Sequence, residues 1–334
     1  MGLSLVDRLS VCIINALHLG GHRRHINLVT ESKRTNGEGL PASSRSSHPL
    51  RGDYSRIRPD YTIDQDFQSY TGAEHDRWRR LYGRQIALMP RYAAPEFVES
   101  ITSLDVAGGI PDFARINALL RDKTGFQIVA VPGLVPDDVF FDHLANRRFP
   151  VSRWIREESE LDYLVEPDIF HDFFGHVPLL ALPVFADYMV EYGRAGPGAA
   201  AANAVPLLSR LYWYTIEFGL IHSQGGLRAY GAGLLSSAGE IGYAVDSTEP
   251  NRIAFDLERV LATDYRIDDY QETYFVIDSF EQLFRETRKP FAPLYERLVG
   301  RRPHPPSATL PGDVVIQRGD HDSGLQRVGR VAAD

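Results

Sequence analysis

His171 and His176 stand five residues apart in Pro167-Asp168-Ile169-Phe170-His171-Asp172-Phe173-Phe174-Gly175-His176-Val177-Pro178, and Glu217 follows in Leu211-Tyr212-Trp213-Tyr214-Thr215-Ile216-Glu217-Phe218-Gly219-Leu220. Two imidazoles and one carboxylate suggest a non-haem iron site. The set is borderline to hard, which suits Fe(II), and three protein ligands leave positions open for water, oxygen or substrate. Taken alone, the two histidines are equally well explained as core residues whose ring nitrogens bond backbone carbonyls. Glu217 shifts the balance. On a helix its neighbours at minus four, minus three and plus three are Trp213, Tyr214 and Leu220, so the carboxylate is buried. Burying it unpaired is costly, and Arg210 lies too far toward solvent on the wheel to neutralise it. A metal ion would.

The spacing separates this pattern from the commonest zinc motif, in which histidines at i and i+4 share a helical face with a glutamate between them. Five residues turn the rings about 140° apart on an ideal helix, so they converge only if the backbone is irregular or a ligand lies near a helix end. Gly175 and Pro178 make a helix boundary plausible. Asp172 adjoins His171 and is not in the general-base position between the pair. A metal-dependent hydrolase using the same three residues, and a non-catalytic binding protein, stand as rival readings.

These side chains need elements to hold them. Helical spacing recurs in Trp78, Leu81, Tyr82 and Ile86, in Phe185, Tyr188, Met189 and Tyr192, and in the stripe carrying Glu217. Strand signals are fewer and short: Gln127 to Val131, Leu227 to Tyr230 and Tyr274 to Ile277. No internal repeat is visible. The pattern predicts a mainly α domain with a small β-sheet.

With 334 residues and 43% hydrophobic content the chain can bury a sizeable core. A net charge of -8 gives no basic footprint for nucleic acid. The single cysteine, Cys12, rules out an intrachain disulfide framework, leaves the metal site without thiolates and fits a reducing cytoplasm. Residues 9–19 are apolar but interrupted by Asn15 and His18 and too short to span a bilayer, so neither anchor nor signal is read there. Val6 stands where a myristoylation motif wants Ser or Thr. From Thr30 to Arg58 the chain is rich in Ser, Gly, Arg and Pro, and residues 1–58 read as a disordered or non-native leader whose removal leaves activity intact. The tail, residues 300–334, with Pro303, Pro305, Pro306 and Pro311, reads as disordered too. The expected folded, catalytic domain is residues 59–299.

The segments Glu166 to Leu180, Leu211 to Leu220 and Ala229 to Glu240 resemble the pterin-dependent aromatic amino acid hydroxylases, and most of all their bacterial, phenylalanine-hydroxylating members. The resemblance spans Tyr61 to Val299. It implies a mostly helical catalytic domain, with His171, His176 and Glu217 as ligands of Fe(II), and tetrahydrobiopterin as the electron donor for O2 activation. The partners it implies are L-phenylalanine, O2 and reduced pterin, with L-tyrosine as product; hydroxylation of tryptophan or tyrosine is the alternative within the family.

By the same resemblance Arg156 grips the substrate carboxylate, a bidentate task suited to a planar guanidinium. Asp168 holds that arginine, although Asp is also a good helix N-cap. Pro167, Trp213 and Phe218 enclose the substrate ring, Gly233 sits against the substrate, and Ser236 supports His171. Phe140 stacks on the pterin, with Gly133, Val135 and Tyr212 beside it. The sequence departs from animal members at Pro136 and Asp137, where they carry two Ser, at Asp172, where they carry Glu, and at Leu164, where they carry a substrate-facing Thr. Ile267 occupies a position that is apolar in phenylalanine hydroxylases and acidic in tyrosine hydroxylases, so it favours phenylalanine. Without a C-terminal heptad helix, a monomer is expected.

Overall fold

The computed structural model describes residues 50–320 apart from Tyr163 and Val165. Thr71 and Glu74 close a capping box at the start of helix α1 (Gly72–Ile86), which turns Trp78, Leu81 and Gln85 inward. Tyr82 and Ile86 lie half-buried at the margin of that stripe. Helices α2 (Pro95–Leu104) and α3 (Phe113–Thr124) follow, the first opening on Pro95 and the second capped by Asp112.

Strand β1 (Gln127–Val131), helix α4 (Asp137–Ala145) and strand β2 (Arg148–Ser152) form a β-α-β unit, with parallel pairing from Gln127 opposite Arg148 to Val131 opposite Ser152. Helix α5 (Pro183–Ala201) buries the expected stripe of Phe185, Tyr188, Met189 and Tyr192. Helix α6 (Val205–Tyr212) leads toward Glu217. Strands β3 (Leu220–Ser223) and β4 (Gly226–Ala229) make a hairpin, followed by α7 (Ala232–Ser236), α8 (Glu240–Asp246), β5 (Asn251–Ala254), α9 (Leu257–Leu261), β6 (Thr273–Ile277), α10 (Phe280–Thr287), α11 (Ala292–Leu298) and β7 (Val315–Gln317). The second sheet is mixed, in the order β4-β3-β6-β5-β7.

The single small sheet read from the sequence is therefore two sheets. Three of the extra strands gave no period-2 signal: β2 contains Pro150, while β3 and β5 are only four residues long. Leu220 also lies elsewhere than expected. The helix stops at Phe218, and Leu220 opens β3.

The folded unit extends past both expected boundaries. Toward the N-terminus, Arg51 pairs with Glu160 at 2.6 Å and lies 4.3 Å over the Trp154 ring, and Tyr54 donates to the Leu134 carbonyl at 3.0 Å. Toward the C-terminus, β7 pairs with β5, Arg259 forms a buried ion pair with Asp313 at 2.8 Å, and Thr273 donates to the Pro306 carbonyl at 2.6 Å. Prolines already restrict the unfolded chain, so this Pro-rich stretch loses less entropy on ordering than its low apolar content implies. The rest of the expected leader and tail, residues 1–49 and 321–334, lies outside the described residues.

The core that matters for chemistry is aromatic. Phe170 and Phe173 meet Trp78 of α1 edge-on at 5.3 and 5.7 Å, and Phe174 stacks on Phe170 at 5.0 Å. These rings anchor one face of the His171–His176 segment. Its other face is left for the site.

Candidate active site

His171–His176 is a π-helical segment, and Trp213–Glu217 is another. A turn closed by i→i+5 hydrogen bonds returns residue i+5 to about the same face as residue i, which is what two imidazoles five residues apart require. The second segment shows the bond directly, the Phe218 amide donating to the Trp213 carbonyl at 2.8 Å. Of the two routes to convergence open to the sequence, irregular backbone is the one taken. Gly175 makes the packing possible: a Cβ there would lie 2.8 Å from the Ala232 side chain and carbonyl of α7.

His171, His176 and Glu217 each offer a ligand atom, all within 4.8 Å of one another. Glu217 Oε2 is 3.6 Å from His171 Nε2, and Glu217 Oε1 is 3.2 Å from His176 Nε2. All three residues are buried, and apart from their 3.2 Å approach to each other neither His176 Nε2 nor Glu217 Oε1 has a hydrogen-bond partner among the described residues. Buried polar atoms left unpaired are rare, and two of them facing a third ligand atom fit a divalent cation. Burial pushes the His171 imidazole down to about 4, so it stays neutral, the form that ligates. Burial alone would raise Glu217, but the facing His176 and His171 and the Gly233 amide outweigh it and lower its pKa.

Ser236 fixes the His171 tautomer. Its hydroxyl donates to the Ala232 carbonyl at 2.8 Å, so at 2.9 Å from His171 Nδ1 it serves as the acceptor. Nδ1 then carries the proton and Nε2 is free toward Glu217. Gly233 allows α7 this approach, since a Cβ there would meet the Phe218 ring at 2.8 Å.

Arg156, a surface residue by default, is 1% exposed. Its Nε and Nη2 donate to the two oxygens of Asp168, each at 2.9 Å. Asp168 also accepts the Arg156 amide at 2.9 Å and the His171 amide at 3.0 Å. It thus both caps the segment bearing the histidines and holds the arginine, the two roles the sequence allowed. Burial would raise Asp168, but Arg156 and the two amides overcome it and hold the carboxyl low.

Trp213 and Phe218 flank Glu217, with ring centroids 4.8 Å apart, and Pro167 is half-buried beside Asp168. On the other side, Phe140 meets Tyr212 edge-on at 5.7 Å, and Tyr212 lies 6.1 Å from the His176 ring. Gly133 and Val135 are on the loop after β1, where Gly133 faces Tyr54, Trp154 and Glu166. Asp168 thus links Arg156 to the histidine segment, Phe218 meets Trp213 across the Glu217 turn, and Tyr212 lies between Phe140 and His176. Sequence reasoning missed Gln271, which takes the Trp213 indole N–H at 2.9 Å, and it noted Asp172 without its bond, in which it accepts the Ser152 amide at 2.7 Å. Asp172 offered a signal, as a carboxylate within an apolar run; Gln271, just before β6, offered none.

The sequence family described as biopterin-dependent aromatic amino acid hydroxylase matches residues 48–302. Phenylalanine-4-hydroxylase of Ralstonia nicotianae is 55% identical over 271 residues, 81% of this chain and 87% of the relative. That of Caulobacter vibrioides is 56% identical over 263 residues, 78% and 90% of the two chains. The crystal structure of phenylalanine hydroxylase from Chromobacterium violaceum bound to cobalt superposes with a TM-score of 0.77 at 54% identity, covering 78% of this chain and 95% of that one.

Proposed function

We propose that this chain, which belongs to the biopterin-dependent aromatic amino acid hydroxylases, converts L-phenylalanine to L-tyrosine with O2 and tetrahydrobiopterin at an Fe(II) held by His171, His176 and Glu217. The observation that carries the reading is the pair of unpartnered, buried ligand atoms, His176 Nε2 and Glu217 Oε1, facing His171. When bound, the iron and the reduced pterin together supply the electrons and the activated oxygen for hydroxylation. The protein's own residues bind, orient and exclude water.

Arg156 binds the carboxylate of the amino acid, pre-aimed by its two bonds to Asp168. Because Asp168 also holds the His171 amide, substrate binding is tied to the backbone of a metal ligand. Pro167, Trp213 and Phe218 pack against the ring and present its para carbon, with Gly233 leaving room beside them. Ser236 keeps the His171 proton on Nδ1. Phe140 and Tyr212 form an aromatic surface on the His176 side for the pterin ring, with Gly133 and Val135 offering backbone groups. Ile267, apolar, favours phenylalanine over tyrosine.

The reading extends to a cytoplasmic protein, which the single cysteine fits, and to a monomer, which sedimentation of the purified protein at a mass near 37.5 kDa tests. No single helix among the described residues is long and apolar enough to cross a membrane. The central test is anaerobic loading with Fe(II), then phenylalanine, tetrahydrobiopterin and O2, with tyrosine followed by chromatography. Tyrosine that requires iron, pterin and oxygen together supports the reading. Equal product from zinc-loaded or pterin-free protein refutes it.

A further inference from the structure

Gln271 is 1% exposed, and every hydrogen-bonding group on it that could shape the pocket is engaged. Its Oε1 accepts the Trp213 indole N–H at 2.9 Å, and its Nε2 donates to the Arg266 carbonyl at 2.9 Å and the Asp269 carbonyl at 3.4 Å. Its backbone amide donates to Glu240 Oε1 at 3.1 Å, which also accepts the Tyr274 hydroxyl at 2.8 Å. One carboxamide therefore joins a ring four residues from Glu217 to the loop between Asp264 and Gln271.

That loop has one other grip on the ring. Tyr265 lies flat on Trp213, centroids 4.4 Å apart and planes 19° apart, while Trp213 also meets Phe218 at 4.8 Å. The loop begins where the Tyr214 hydroxyl donates to the Asp264 carbonyl at 2.5 Å. Between these ties Arg266 pairs only with acids of its own neighbourhood, Asp268, Asp269 and Glu272. Ile267 is 39% exposed, so core packing does not fix its place. The backbone carbonyls on either side of it do, and Gln271 holds both.

We infer that Gln271 is a positioning residue for substrate selectivity: it locks the Trp213 wall and the loop carrying Ile267 and Tyr265 into one rigid rim around the substrate ring. The inference rests on the proposed role of Trp213 as a wall of that pocket. An apolar pocket discriminates between aromatic rings by shape, and it does so only as sharply as its walls are held. Asparagine cannot span the same three bonds, and glutamate offers acceptors where the Arg266 and Asp269 carbonyls need a donor.

The test compares the full-length, iron-loaded protein with its Gln271→Leu variant, which keeps the volume and removes the three side-chain bonds. L-Phenylalanine binding is measured by calorimetry under nitrogen, and kcat and KM for phenylalanine and for tryptophan by product chromatography. The variant is expected to raise the phenylalanine Kd and KM about tenfold and to lower the phenylalanine-to-tryptophan ratio of kcat/KM about fivefold, on the scale of lost pocket contacts. Its kcat for phenylalanine and iron content should stay within about twofold, since no ligand is touched. A folded variant with unchanged Kd and unchanged ratio overturns the inference. Should Gln271→Leu fail to fold, Gln271→Glu decides, since it keeps an acceptor for the Trp213 indole and loses the donor to the Arg266 and Asp269 carbonyls: a shift in the same direction supports the inference, and none overturns it. If the unmodified protein makes no tyrosine, the hydroxylase reading fails, while the calorimetric comparison still tests Gln271.

Discussion

The metal-facing residues and the substrate-facing rim are held by different means. His171, His176 and Glu217 sit on two π-helical turns embedded in the core, with Phe170, Phe173 and Phe174 packed behind the first. The rim and the arginine grip beside it are built from loops: the strap of residues 157–162 after Arg156 and the segment from Asp264 to Gln271, fastened by individual side chains. Backbone anchored in a packed core has few alternative positions, because interiors are close-packed and yield little. A loop tied by single hydrogen bonds can shift when one tie is cut. Damage to the cage should therefore cost metal, and damage to the rim should cost affinity and selectivity.

The sharpest way to break this contrast is Glu217→Gln. Loss of even an outer partner of a ligand costs about 10–100-fold in metal affinity or activity, so loss of a ligand should lower both by at least ~100-fold. Metal content by atomic emission and turnover under saturating phenylalanine check this; normal iron and normal turnover would remove Glu217 from the site. Next comes Asp168→Ala, at the junction of the two regions. It strands a buried guanidinium, a change that costs about 3–5 kcal/mol, and it releases the His171 amide as well. Urea denaturation should show the loss, and phenylalanine KM should rise far more in this variant than in any change confined to the loop from Asp264 to Gln271.

Glu240 tests the rim through pH. Burial pushes its carboxyl up to about 7, only partly opposed by the Gln271 amide and the Tyr274 hydroxyl, and Asp269 pushes it further. A folded-state value above the ordinary carboxylate range means that the stability tied to the protonated form is complete below about pH 4.5 and is lost as pH rises through about 7. Glu240→Gln keeps an acceptor for both donors and cannot ionise. Relative to this variant the unmodified protein should lose on the order of 1–3 kcal/mol between pH 5 and pH 8, read from denaturation midpoints. Parallel pH profiles for the two would sink the assignment.

What the sequence disclosed follows the same division. The five-residue histidine spacing, the buried Glu217 and the capping aptitude of Asp168 were legible because each depends on local spacing or on the cost of burying a charge, whereas the hold of Asp168 on Arg156 was implied by the family resemblance alone. The burial of Arg156 was not visible locally, since its partner lies 12 residues away in the chain. Strand β2 hid behind Pro150, and the segment from Arg301 to Asp320 behind its prolines, because their bonds run to β1, β5 and α9 across the fold. Gln271 reaches 58 residues back to Trp213. Contacts of that kind leave no period in the sequence, and the rim consists largely of them.

The smallest expected effect lies in the strap itself. Three of its acids face the arginines of α1: Glu157 pairs with Arg77 at 3.4 Å, Glu158 pairs with Arg80, and Asp162 pairs with Arg84 at 2.5 Å, while Arg84 also donates to the Leu161 carbonyl at 2.9 Å. These pairs are largely exposed, and a single exposed pair contributes about 0.2–1 kcal/mol and weakens with salt. Arg84→Gln should thus raise phenylalanine KM by no more than about threefold and leave iron content unchanged, and added salt should raise the KM of the unmodified protein in the same direction. A loss of iron in Arg84→Gln would mean that strap and cage are one mechanical unit, joined through Asp168. An unchanged KM at every salt concentration would mean that Asp168 alone suffices to aim Arg156.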